Sequence, residues 1–176
     1  IIAQVNGQAM IDQGKIKVEP IYEVNGDVSL KTGNIVFLGT VIVKGNIEDG
    51  FSVKAAGNVE VTGSVCKAFI EAENDVIVKQ GILGKDEGVI KSGNNVYAKF
   101  VEHSKIFADN DVIAKEGVLH SFVDAGGRVI ANGKKGQILG GRIRASQEIN
   151  AKTLGANSYT ETVLEAGIDP KSKEKL

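Results

Sequence analysis

Residues 106–114 read IFADNDVIA, and the same nine-residue pattern recurs without an internal gap in five other segments of the chain. These segments are VKAAGNVEV (53–61), IEAENDVIV (70–78), IKSGNNVYA (90–98), VDAGGRVIA (123–131) and IRASQEINA (143–151). The first and seventh positions are always Ile or Val, and the third is always Ala or Ser. Such self-similarity is typical of solenoid proteins, in which neighbouring repeats stack and bury a continuous core.

The number of strands in each repeat follows from where apolar residues recur. Successive segments start 16 to 20 residues apart, and a weaker copy that starts at Ile35 gives a mean period of 18. A third apolar position follows the nine residues, at Val65, Ile82, Val101, Val118 and Ile138. Three short strands and three tight corners per repeat predict an all-β fold, a single-stranded parallel β-helix with a triangular cross-section. Left-handed hexapeptide helices keep a stricter period, so a right-handed coil is favoured.

The corners carry two further signals. The fifth position is Gly, Asn or Gln, and Gly and Asn tolerate positive φ, so we expect a corner in the left-handed αL conformation there. Two repeats are longer by about three residues, and we expect the additional residues at the third corner, near residues 84–88 and 132–136. Both insertions are predicted to form loops on one face of the solenoid.

The column pattern divides the chain into three parts. Residues 1–30 lack it and are expected to cap the first coil or to be the remnant of a preceding domain. Residues 31–167 are expected to form the β-helix. In residues 168–176, Asp169 and Pro170 have the order of an N-cap and a first-turn proline, which predicts the start of a helix that is cut short.

Composition excludes several classes of protein. The chain has 176 residues, a net charge of −1 and 42% hydrophobic residues, so it is neither a disordered tail nor a membrane span. The near-zero charge argues against nucleic-acid binding. The lone cysteine, Cys66, excludes a disulfide scaffold and indicates a reducing, cytoplasmic location.

Histidine and cysteine do not predict catalysis or a bound metal or cofactor. His103 and His120 each follow a third apolar position by two residues, so they are expected to stack in adjacent coils. Two ligands do not make a metal site, and we interpret the pair as an exposed corner ladder. Cys66 has no histidine in its own coil and is not predicted to be a nucleophile.

Acidic residues recur at the sixth position, where clustered carboxylates could bind calcium. Asp75, Asp111 and Glu148 occupy it, but Asn58, Asn95 and Arg128 alternate with them. Because the alternate coils break the cluster, these acids are interpreted as exposed corner residues.

One run of sequence is basic. Residues 125–147 contain no acid, and they cover about one coil and its loop. The basic residues of this run are Arg128, Lys134, Lys135, Arg142 and Arg144. We hypothesise that they contact an acidic partner or a phosphate group, the alternative being a solvated surface balanced by acids in neighbouring coils. The segment is not a phosphate-binding loop, because the Gly-x-x-x-x-Gly-Lys-Ser/Thr spacing is missing.

Several short motifs resemble one bacterial family. They are Gly33–Phe37, Gly45–Phe51, Tyr97–Glu102, Gly133–Gly136, Gly140–Gly141 and Gly167–Pro170. Together they resemble the β-helix of the flagellar assembly protein A family, from about residue 20 to residue 170. The resemblance implies an N-terminal domain, a right-handed β-helix similar in shape to bactofilin, which polymerises end to end, and a C-terminal coiled coil. It implies no catalytic residues, and a scaffolding or regulatory role linked to flagella and the cell pole.

Two classes of function remain. The favoured class is a non-enzymatic scaffold that binds protein partners and self-associates through its coil ends or the missing coiled coil. The alternative is a hexapeptide-repeat acyltransferase with a left-handed β-helix, which would use His103 or His120 as a base and a coenzyme A thioester as donor. The irregular period argues against the alternative.

Overall fold

The computed structural model describes residues 2, 4 and 7–173. Within these residues the chain forms β-strands and one short helix, α1 (Pro170–Lys173). The strands are β1 (Gln8–Asp12), β2 (Lys15–Glu19), β3 (Ile21–Val24), β4 (Ile35–Phe37), β5 (Thr40–Val43), β6 (Ser52–Ala55), β7 (Val59–Val61), β8 (Phe69–Ala72), β9 (Val76–Val78), β10 (Gly81–Ser92), β11 (Val96–Ala108), β12 (Val112–Ala125), β13 (Arg128–Ala131), β14 (Gln137–Ala145), β15 (Glu148–Ala151), β16 (Thr153–Leu154) and β17 (Thr162–Ala166). No helix in the described part of the chain is long and apolar enough to cross a lipid bilayer.

The strands stack in parallel in the register that the repeat predicts. The first column consists of Ile35, Val53, Ile70, Ile90, Ile106, Val123, Ile143 and Leu164. The second consists of Val41, Val59, Val76, Val96, Val112, Val129 and Ile149. The third consists of Val28, Ile47, Val65, Ile82, Val101, Val118, Ile138 and Leu154. The predicted fold class is therefore confirmed, as an all-β parallel solenoid of about 8 turns with repeats about 18 residues apart. Its right-handedness stays a prediction.

The core is a stack of β-branched side chains. Val53, Val112 and Ile143 are each 0% exposed, and the other central members of the three columns are buried with them. Stacked β-branched residues suit a strand interior, since their stiff side chains pack well on a pleated surface. At the N-terminal end, Phe37 stands in the column that holds alanine or serine elsewhere, and its ring lies 5.6 Å from that of Tyr22. These two rings pack against the end of the core.

The fifth position does not adopt the αL conformation, so that prediction is wrong. Every positive φ in the described residues falls at another position. The backbone N–H of Gly127 instead donates to the carbonyl oxygen of Asn110 in the preceding coil, at 2.8 Å. A Cβ at Gly127 would lie 2.4 Å from Oδ1 of Asp111. Glycine is needed at Gly127 because a side chain would clash with Asp111, and not because the backbone has a positive φ.

The two insertions lie at different corners. Residues 84–87 bulge at the third corner, between the paired residues Leu83 and Gly88, as predicted. Residues 132–136 come before Ile138, between β13 and β14, and so lie at the second corner. The prediction that both lie at the third corner is wrong for the second insertion, because the length of a repeat does not say which corner holds its extra residues.

The parallel sheet begins inside the segment that the sequence set apart. Strand β3 pairs with β5, and Val28 lies opposite Ile47, so the chain from Ile21 onward already belongs to the first coil. Strands β1 and β2 form a separate antiparallel hairpin. Whether the residues before Ile21 cap the solenoid or belong to a preceding domain stays a prediction.

The short helix α1 begins at Pro170, directly after Asp169. Oδ1 of Asp169 accepts a hydrogen bond from the backbone N–H of Lys171 at 3.0 Å, which is N-cap geometry. Nζ of Lys171 lies 2.7 Å from Oδ1 of Asp109, so the start of the helix is held against the side of an earlier coil. Residues 174–176 lie outside the described residues, and the extent of the helix stays a prediction.

Candidate protein-binding surface

The second strands carry a column of apolar side chains on their outer face. These side chains occupy the eighth position of the repeat, one residue after the buried second column. The apolar column consists of Ile42, Ile77, Tyr97, Ile113 and Ile130. Glu60 interrupts it once, between Ile42 and Ile77. Each member of the column is half-buried, so the solenoid leaves a strip of apolar surface in contact with water.

A row of lysines follows the apolar column along one side. The lysines occupy the tenth position of the repeat, and each is exposed. The lysine row consists of Lys44, Lys79, Lys99, Lys115 and Lys152. The backbone holds the row in place, since the N–H of Lys79 donates to the carbonyl oxygen of Val61 at 2.9 Å and that of Lys99 donates to Gln80 at 2.9 Å.

The two features share one open groove. Ile77, Tyr97 and Ile113 line it together with Lys79, Lys99 and Lys115, and its volume is about 610 Å³. Within the described residues no carboxylate forms an ion pair with these three lysines. Like charges directly opposite one another on neighbouring strands are destabilising. The Glu116 carboxylate lines the same groove and attracts Lys99, so it offsets part of this repulsion.

The loop of residues 132–136, here called the basic loop, extends the lysine row. Its Gly133 N–H donates to the carbonyl oxygen of Lys115 at 2.6 Å, and its Lys135 N–H donates to Oε2 of Glu116 at 3.1 Å. The bond from Lys135 holds the pKa of Glu116 below its ordinary value, so the carboxylate stays ionised and fixes the loop. The side chains of Lys134 and Lys135 are exposed, on a loop whose backbone is hydrogen-bonded to Lys115 and Glu116.

The three arginines that the sequence grouped with these lysines are engaged elsewhere. Arg144 is 7% exposed and forms a buried ion pair with Asp124. A guanidinium nitrogen of Arg142 lies 2.7 Å from Oε1 of Glu165 on the adjacent first strand. The five predicted contact residues are thus not one continuous surface, and Lys134 and Lys135 are the two that the structure joins to other lysines.

Arg128 pairs with Asp111 at the corner beside the apolar column. Their charged atoms lie 2.7 Å apart, and this contact holds the pKa of Asp111 below its ordinary value and raises that of Arg128. Asp111 is 7% exposed, so the prediction that it is an exposed corner residue is wrong. It belongs to a ladder in which each sixth-position oxygen accepts the backbone N–H of the next coil, as Oδ1 of Asp75 does for Asn95 at 3.0 Å. Glu148 is exposed as predicted.

The histidines stack as the sequence predicts. The ring centroids of His103 and His120 lie 5.1 Å apart, and Nδ1 of His103 lies 2.8 Å from Oδ1 of Asp86. Both histidines have positive φ, so the αL corner is the third corner of the coil. In the described ranges, no three His, Cys, Asp or Glu side chains are grouped so that they could hold a metal ion. That the protein binds no metal and no cofactor stays a prediction.

Cys66 shows no activation as a nucleophile. Burial raises the pKa of its thiol, and the nearby Asp49 carboxylate raises it further. Since the thiolate is the reactive form, a raised pKa makes this cysteine less reactive at neutral pH.

Comparison with known families decides to which group of proteins this solenoid belongs. The model of the Flagellar Assembly Protein A beta solenoid domain matches residues 20–176. The chain belongs to the flagellar assembly protein A family. Comparisons with curated proteins and with solved structures each gave no match. Membership of the flagellar assembly protein A family, which is not a known enzyme family, indicates a role related to flagellar assembly and gives no support to the acyltransferase alternative.

The start of the family match coincides with the start of the parallel sheet. The match begins at residue 20, and β3 begins at Ile21. The beta solenoid domain of the flagellar assembly protein A family therefore includes the whole stacked structure, with the apolar column and the lysine row on it.

Sequence reasoning found the basic loop but missed the apolar column and most of the lysine row. The eighth residue of each aligned segment reads Glu60, Ile77, Tyr97, Ile113, Ile130 and Asn150, which is mainly apolar at an outward position. The residue directly after each segment reads Thr62, Lys79, Lys99, Lys115, Asn132 and Lys152. An alignment one column wider would have shown the lysine row.

Proposed function

We propose that this solenoid is a non-enzymatic scaffold that serves flagellar assembly in the cytoplasm by binding an acidic protein partner. The observation that carries the proposal is the lysine row, which runs beside the apolar column and continues into the basic loop. Lys79, Lys99 and Lys115 repel one another in the free protein, and an acidic partner relieves this repulsion.

Interface chemistry supports the same proposal. An exposed apolar strip edged by charged residues is typical of a protein-binding site. Burial of half-exposed Ile and Tyr side chains supplies affinity, whereas a lysine edge mainly speeds association and selects an acidic surface. The parallel stack of strands holds both features in fixed positions, so little conformational entropy is lost on binding.

The titratable groups that the structure brings together are engaged in structural contacts. Asp111 accepts hydrogen bonds from Arg128, and Asp75 accepts them from Asn94 and Asn95. Their carboxylates stabilise corners of the solenoid, and this supports a scaffold role in preference to a catalytic one.

Affinity capture from a flagellated bacterium tests the proposal. Three forms of the solenoid serve as bait. They are the wild type, a loop variant with Lys134→Glu and Lys135→Glu, and a control with Lys91→Glu and Lys105→Glu, which changes two exposed lysines of the first strands. We expect proteins that the wild type and the control both retain at low salt to be lost from the loop variant. High salt reduces the difference between the two variants, since it screens the contact. Identical retention by both variants would overturn the role of the basic loop.

A further inference from the structure

We propose that the partner segment is an amphipathic α-helix with an acidic flank, which lies along the long axis of the solenoid on the apolar column. This proposal rests on the proposed function, since it names the kind of segment that binds the same surface. Three features of the surface support it, namely the spacing of the coils, the placement of charge and the shape of the groove.

Spacing distinguishes a helix from an extended segment. Side chains of the apolar column repeat once per coil, about every 4.8 Å along the axis. A helix that lies along this axis presents an apolar side chain about every 5.4 Å, once per turn. An extended strand in the same orientation presents one about every 6.6 Å on one face. Over the four coils from Ile77 to Ile130, the side chains of the helix stay within about 2 Å of the apolar side chains that they face. Those of the extended strand drift by more than the spacing between two coils.

Within the described residues, positive charge without an ion-pair partner lines one side of the apolar column. The lysine row lines one edge, through Lys79, Lys99 and Lys115. The other edge is the sixth-position ladder, where the Asp75 and Asp111 carboxylates are already hydrogen-bonded. A helix fits this asymmetry when its glutamates or aspartates follow one flank of the apolar stripe at i, i+3, i+4 and i+7 spacing.

The shape of the surface argues against a membrane as the partner. A flat anionic bilayer that touched the apolar column would also meet the carboxylate of Glu60, which interrupts that column, and would approach that of Glu116, which lines the groove. A helix is narrow enough to lie on one column and meet one edge. The uninterrupted part of the column, from Ile77 to Ile130, spans about 14 Å, which about ten helical residues cover.

Three synthetic peptides of about 18 residues test the proposal, a length that extends beyond the uninterrupted column at both ends. The first places Leu residues at helical spacing with Glu along one flank. The second has the same composition with Leu and Glu in strict alternation, and the third is the first with Lys in place of each Glu. Binding to the full chain is measured by fluorescence anisotropy at low salt. We expect the first peptide alone to bind, with helical circular dichroism in the bound state.

Two sets of variants locate the binding. Lys79→Glu, Lys99→Glu and Lys115→Glu together are expected to weaken binding of the first peptide about tenfold, on the scale of exposed ion pairs. The matched control, with Lys54→Glu, Lys91→Glu and Lys105→Glu on the first strands, is expected to leave binding unchanged. Ile113→Thr keeps a β-branched residue in the strand and is also expected to weaken binding, because it removes apolar contact. Far-ultraviolet circular dichroism confirms that each variant folds.

Each other result has a defined meaning. Equal binding of the first and second peptides would overturn the helix and leave the acidic-partner proposal standing. Binding to phosphatidylglycerol vesicles without binding of the first peptide would overturn both in favour of a membrane surface. If no acidic probe binds and affinity capture shows no difference between variants, the lysine row is a solvated surface and both proposals fall.

Discussion

Within one strand of this solenoid, neighbouring residues occupy opposite environments. Val112 is fully buried between Val96 and Val129, and the next residue, Ile113, lines the groove outside. The same substitution is therefore expected to change the stability of the protein by very different amounts at these two adjacent positions.

The first prediction uses this pair of positions. Val112→Asp places an unpaired carboxylate among apolar side chains, at a cost of several kcal/mol. We expect the melting temperature to fall by roughly 10 °C or more, or the protein to fail to fold. The matched control is Ile113→Asp, in which the same carboxylate reaches water and the melting temperature falls much less. Equal losses in the two variants would show that the register of the second column is wrong.

The second prediction concerns the ion pair between Asp111 and Arg128. The pKa of Asp111 is lowered from 3.8 by the hydrogen bond from Arg128. A lowered pKa in the folded state stabilises the protein above the unfolded value, and this stability is lost as the pH falls through the folded pKa. Asp111→Asn keeps a side-chain oxygen that can accept the backbone N–H of Arg128, just as the Asn95 side chain accepts that of Asp111 one coil earlier. The substitution removes the ion pair and is expected to lower the free energy of unfolding by about 1 kcal/mol at pH 7.

The difference between the wild type and Asp111→Asn depends on pH. Chemical denaturation at pH 7 and at pH 3 or below measures it. We expect the difference to be largest at neutral pH and to shrink in acid, where the wild-type carboxyl becomes protonated. A difference that is constant with pH would contradict the assigned ion pair.

At the scale of strands and loops, the three buried columns could be read from sequence. Along each strand, inward β-branched residues alternate with outward residues. From one coil to the next, the same inward positions again hold β-branched residues. Two independent regularities therefore fix one register, and every predicted member of the columns lies where it was expected.

The corners could not be predicted in the same way. Gly127 is used because Asp111 lies too close for a Cβ, and such a contact between coils leaves no trace in a single repeat. The ion pair of Arg144 with Asp124 was readable in principle, because the two residues occupy the same position of adjacent repeats. Grouping basic residues along the chain hid it, since the partner of Arg144 lies one coil away and not beside it in sequence.

The third prediction removes the insertion at the second corner. Deletion of residues 133–135 shortens the path from Val129 to Ile138 to that of the preceding coil, from Val112 to Val118. Because the preceding coil turns this corner without a loop, we expect the solenoid to keep its β-sheet circular dichroism and lose at most a few degrees of melting temperature. Partner capture is expected to fall as in the Lys134→Glu and Lys135→Glu variant. Unfolding on deletion would mean that the basic loop is part of the fold.

At the scale of the whole molecule, the strands of each described coil of the solenoid pair only with strands of the coils next to it. Stability in such a structure is approximately a sum of coil and interface terms, so opening begins at the ends. Strands β3 and β4 pair on one side only, whereas β11 and β12 lie in the middle of the stack.

The fourth prediction is a gradient of amide protection along the stack. Hydrogen exchange monitored by mass spectrometry is expected to show the slowest exchange between Val96 and Ala125, and progressively faster exchange toward β3 and toward β17. Deuterium uptake that rises at one rate throughout the chain would show that the solenoid opens as a single cooperative unit.

Because identical columns stack, the length of the solenoid is a whole number of coils. Each coil adds one residue to every column and about 4.8 Å to the rod. Duplication of a single repeat, such as residues 106–122, would move everything on its C-terminal side by one such step and leave the pattern of both ends intact. The distance between two surface features at different heights is therefore set in whole steps, and a gene that gains or loses a repeat changes that distance without redesigning either feature.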